Sequence, residues 1–226
     1  MLEFDIAMAR LTLATGQAET LLHGLGQRQY DLLALEQVVA ELSGGRSVQR
    51  VVVDQSEDIR RAIAVHAVEQ LQNIWSAIDH AGVAIADAAS ESELAPERAR
   101  MLSGLVNNGS EGARRTAAEL NQVVQVLTPI AQAAPGDQAL ARTARRGVDE
   151  ASNRLESARR EALRMAEALP LLIREMWEGL DSDRLVTEPQ QVNEPNVTES
   201  PAAAKGGDHR RWLRPVSIGD VPRFLE

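Results

Sequence analysis

The sequence predicts an all-α protein: an elongated antiparallel four-helix bundle with coiled-coil character, followed by a flexible C-terminal tail. Three observations predict it. Apolar residues recur alternately three and four apart through most of residues 1–180, the spacing that keeps one narrow stripe of a long helix turned toward its partners. The chain is 44% hydrophobic but only 3% aromatic, so Ala, Leu and Val must fill the interior, and such small seams suit slender helices packed closely. Three short turn-forming segments separate four such stretches, and short connections make consecutive helices antiparallel neighbours.

The first helix is predicted from about Glu3 to Leu42. Phe4, Ala7, Leu11, Ala14, Ala18, Leu21, Leu25, Leu32, Leu35, Val39 and Leu42 hold one register, which only Arg28 interrupts. Gly16, Gly24 and Gly26 lie off that seam and each costs a helix about 1 kcal/mol relative to Ala, so the middle is expected to bend or fray. Ser43-Gly44-Gly45 supplies the stop.

The second helix ends near Ala88. Ala64, Val68, Leu71, Trp75, Ile78, Gly82 and Ile85 form its strong seam, whereas Val52, Ile59 and Ile63 sit in a different phase. That change of phase implies a stutter near residue 63. Two starts remain open: one near residue 47, and one at Ser56-Glu57-Asp58 with β-branched Val51-Val52-Val53 extended before it.

Residues 90–96 form a turn that places Pro96 near the first position of helix three. Ala99, Leu102, Val106, Gly109, Ala113, Thr116, Leu120, Val123, Leu127 and Ile130 carry its seam across Asn107–Gly112, a stretch that alone reads as a loop, so one interrupted helix is expected rather than two. Pro129 is expected to kink its last turns. Ala134-Pro135-Gly136-Asp137 then makes a turn ending in an N-cap, and helix four runs to about Leu180, bent at Pro170. Its seam from Ala141 to Met176 has no gap. A homodimer of long hairpins, sharing seams between chains, is the alternative closure.

The chain therefore divides into a helical bundle (1–180), an acidic linker carrying Pro189, Pro195 and Pro201 (181–208), and a docking peptide (209–226). The net charge of −9 argues against general nucleic-acid binding, which draws affinity from phosphate neutralisation. Cysteine is absent, so disulfides and thiolate metal sites are excluded. No apolar run reaches the roughly 18 to 20 residues that cross a bilayer, and Glu3 and Asp5 stand where a secretory signal carries bases. A cytoplasmic location is expected.

The final segment carries the functional expectation. Arg210, Arg211, Trp212, Leu213 and Arg214, followed by Ile218, Phe224 and Leu225, place basic and large apolar groups at the end of an acidic spacer. Such clusters act as docking peptides whose large side chains fill pockets on a protein partner. Folding back onto the chain's own bundle is the competing expectation.

Catalytic material is sparse. His66 and His80 share one stripe but lie about 21 Å apart along a helix, too far to hold one metal. No Glu-x-x-His pair, phosphate loop or nucleophile elbow is present, so no cofactor, metal or catalytic residue is assigned. Arg61 and His66 match the Arg-x4-His spacing of the HEPN ribonucleases, themselves helical bundles, although Ala62 stands where a polar residue typically follows the arginine. That resemblance implies phosphodiester cleavage as a remote alternative. A ligand-sensing or chaperone-like bundle is a further alternative, with a pocket where Gly109 or Arg28 breaks the seam. Trp177, at the end of helix four, is expected to pack at the bundle end. The primary expectation is a non-enzymatic scaffold or adaptor.

Overall fold

The computed structural model describes residues 2–41, 46–91, 93–134 and 136–186. Helix α1 spans Leu2–Ala40, α2 Arg46–Ala62, α3 Val68–Ser90, α4 Pro96–Ala131 and α5 Leu140–Val186, with a π-helical turn at Ile63–Ala67 joining α2 to α3. The joined pair acts as one rod, so four rods make the bundle. No strand occurs among the described residues.

Each rod packs on the next in sequence, and α5 returns to pack along α1. On α4 and α5 the partners run oppositely in number. Ile130 lies beside Gly147, Glu119 pairs with Arg154, Gly112 meets Met165, and Arg98 reaches Glu175. The same holds between α3 and α4, where Ile78 meets Gly109 and Gly82 meets Val106.

The seams are the core. On α5, Ala144, Val148, Ala151, Leu155, Ala158, Ala162, Met165, Leu169, Leu172 and Met176 are all 2% exposed or less. The α1 stripe from Phe4 to Val39 is buried except at Arg28, and the off-seam glycines do not interrupt the helix. Each fully buried Leu or Ile contributes about 1.5–3 kcal/mol, which outweighs the weak propensity of those glycines. Ile74, Ala77, Ala81 and Ala84 are buried as well, so α3 presents a face wider than a heptad stripe.

Several boundaries were ambiguous from sequence. Helix α2 begins at Arg46, and Val51–Val53 are helical, because Val52 belongs to the core. The stutter near residue 63 is the π turn itself, which takes up one extra residue and lets both phases face inward. Asn107–Gly112 continues α4 without a break because Gly109 and Gly112 lie buried against neighbouring helices. Pro96 opens α4, and Asp137 caps the start of α5 by accepting a hydrogen bond at Oδ1 from the Ala139 amide (2.8 Å). Pro129 and Pro170 sit inside α4 and α5 on exposed turns, where water can serve the carbonyls they leave unpaired. Helix α5 continues to Val186, six residues beyond the expected end near Leu180. Leu42 and residues 187–226 fall outside the described residues.

Candidate functional site

The docking residues expected from sequence, Arg210, Arg211, Trp212, Leu213, Arg214, Ile218, Phe224 and Leu225, all lie outside the described residues. The geometry in hand is that of the rod and its surface.

Arg61 lies in the last turn of α2 and His66 in the π turn, both exposed. Arg61 sits 3.9 Å from the Glu57 carboxylate with its side chain 74% exposed, so it reaches outward rather than interrupting a core layer. Glu57 is held more tightly by Arg60, which donates from Nε to Oε2 (2.7 Å) and from Nη2 to Oε1 (2.8 Å). Those bonds keep the Glu57 carboxyl below the usual carboxylate range, with smaller help from the charges of Arg60 and Arg61. Glu111 is lowered in the same way, by bonds from Arg115 and then Arg114. His66 and Asn73 are exposed, and His80 is half-buried.

The polar seam positions resolve individually. Arg28 is half-buried and pairs with Asp31 at 2.9 Å. Thr116 is fully buried and donates its hydroxyl to the Gly112 carbonyl (2.8 Å). At Gly109 the space is filled, because a Cβ there would stand 3.3 Å from Ile78 Cδ1. Trp177 is 54% exposed, which corrects the expectation that it packs at the bundle end.

Sequence reasoning missed Ser56. It is fully buried, and its Oγ has no hydrogen-bond partner. The signal was present: Val52, Ile59 and Ile63 leave position 56 as the missing slot of their own register, although Ser-Glu-Asp reads as a helix start.

Two concavities lie along α5. A small one of about 280 Å³ opens between the end of α1 and the first turns of α5, where Val39 and Val148 are flanked by Glu36, Arg145 and Asp149. A broad groove of about 1300 Å³ runs along the outer side of α5 past Arg142, Arg145, Arg146 and Arg154, with Asp149, Glu150 and Glu119 among them. Mixed charge of this kind marks a solvated face, and the surface pairs along it are worth little individually.

The outward sides of α1 and α5 differ in kind. Of the fifteen exposed positions of α1 from Asp5 to Ala34, only Asp5, Arg10 and Glu19 bear a formal charge, and Ile6, Leu13, Tyr30 and Leu33 are exposed apolar groups among them. The outward side of α5 is crowded with Arg, Asp and Glu. Because these α1 residues fall off the heptad seam, a search confined to seam positions passes over them.

No helix among the described residues is long and apolar enough to cross a membrane, and no cluster of three or more His, Asp or Glu that could hold a metal occurs among them. No protein-family model matches the chain, and no curated protein matches it significantly.

Proposed function

We propose that the chain is a non-enzymatic cytoplasmic scaffold or adaptor: a helical rod that carries a tethered recognition peptide to a protein partner. The observation that supports this reading is the completeness of the seams, since the four rods bury their apolar stripes against one another. The bundle, in this reading, does not need the apolar groups at 209–226 to fill its seams, and they serve a partner instead. In this reading Trp212, Leu213, Phe224 and Leu225 anchor in the partner, Arg210, Arg211 and Arg214 favour an acidic rim around its pockets, and the linker sets the reach.

The test compares the full chain with one ending at Val186. Both are expected to melt alike and show the same helicity, while only the full chain retrieves its partners from lysate. Trp212→Ala with Leu213→Ala is expected to reproduce the loss within the full-length protein. Retention of the same partners by the shortened rod would refute the proposal.

A further inference from the structure

The geometry points to a second copy of this chain as the occupant of the outward face of α1. Leu13 (70%) and Tyr30 (71%) are the most exposed large apolar side chains among the described residues. They lie 17 residues apart on one helix, about 25 Å, and sit symmetrically about the Leu21–Leu22 peptide. A two-fold axis passing there, with two α1 helices antiparallel, sets Leu13 of each copy against Tyr30 of the other.

Small and uncharged residues meet near that axis, and farther out Ile6 falls opposite Gln37 and Arg10 opposite Leu33. Gly16 falls opposite Gln27, and Ala9 opposite Ala34. A Cβ built at Gly16, Gly24 or Gly26 would find nothing within 4 Å, so the backbone there is open to close approach by another helix. Glu19 and His23 lie on either side of the axis within one turn of it, so the acid of each copy faces the base of the other. Farther out Arg10 of each copy comes near Asp31 of the other, which Arg28 of its own chain already holds. An isologous contact requires this kind of self-matching patch, which an unrelated partner would not select for.

The area suffices for a concentration-dependent dimer. From Ile6 to Gln37 the face is about 46 Å long, and a helix about 10 Å across buries roughly 500 Å² per copy, roughly 1,000 Å² in all, the lower bound for a specific interface. This dimer leaves every seam closed within its own chain, unlike the shared-seam hairpin dimer considered from sequence. It stands independently of what the C-terminal segment binds.

Sedimentation equilibrium on the full chain tests it. A monomer–dimer equilibrium is expected, and Leu13→Glu or Tyr30→Glu should each weaken it by about tenfold or more, as loss of a central anchor does. Leu163→Glu, at an exposed leucine of α5, should leave it unchanged. Because the chain has no cysteine, Leu13→Cys and Tyr30→Cys proteins can be mixed under mild oxidation, and the mixture should cross-link where neither alone does. Circular dichroism checks that the variants remain helical. A wild-type chain that stays monomeric, a dimer indifferent to both Glu substitutions, or cross-linking of Leu13→Cys with itself would overturn the inference.

Discussion

Gly112 of α4 and Met165 of α5 meet almost backbone to backbone. A Cβ at 112 would stand 3.2 Å from the Met165 Cβ and 3.6 Å from its Cα, atoms that no rotamer change can move aside. Gly112→Ala is therefore expected to destabilise the protein, although Ala is the better helix former. Overpacking of this kind costs about 1–3 kcal/mol against a propensity gain of about 1 kcal/mol. A net loss of about 1 kcal/mol should appear in urea unfolding, and Gly112→Val should lose more.

Gly104, on the same helix, provides the opposite case. It is exposed, and nothing lies within 4 Å of a Cβ built there. Gly104→Ala should raise stability by about 0.5–1 kcal/mol through propensity alone, seen as a higher denaturation midpoint with an unchanged m-value.

Ser56 carries a buried hydroxyl without a partner, so removing it should help. Ser56→Ala is expected to stabilise the fold by about 1 kcal/mol, since an unsatisfied buried hydroxyl costs about 1–3 kcal/mol and Ala favours the helix. Thermal melting would reveal it, and a loss of stability on this substitution would mean that the hydroxyl is satisfied in solution.

Glu57 should titrate below the usual glutamate range. Its carboxyl is depressed in the folded chain by the Arg60 hydrogen bonds, so the stabilisation is fully present above the ordinary carboxylate range. It is lost as pH falls through the folded value. Carboxyl-carbon NMR should show that depression, and Arg60→Gln should move the titration upward. The stability change should be only about 0.3–0.5 kcal/mol, as for other helix-surface ion pairs.

The seams were legible in the sequence because burial acts on them directly. The heptad repeat located Phe4, Leu71, Leu120 and Leu155 in the core, and the break in phase at Ile63 located the π turn. Composition misled where context overrode it. The composition of Asn107–Gly112 alone reads as a loop; the seam crossed it, and Ile78 and Met165 fill the space beside its glycines. Trp177 reads as an anchor, but the fourth helix runs on past it and leaves the ring largely exposed. The outward face of α1 stayed hidden because periodicity reports what a helix buries, and Leu13 and Tyr30 are not buried within the chain.

The wide turn at Ile63–Ala67 acts as a vernier in an otherwise uniform lattice. Val52, Ser56 and Ile59 upstream of it and Leu71, Ile74 and Ile78 downstream are all buried between α1 and α4; a continuous α-helix would have to rotate one set away from them. The single added residue corrects the azimuth at that point, so the two halves of the rod can each drift in sequence without dragging the other out of alignment.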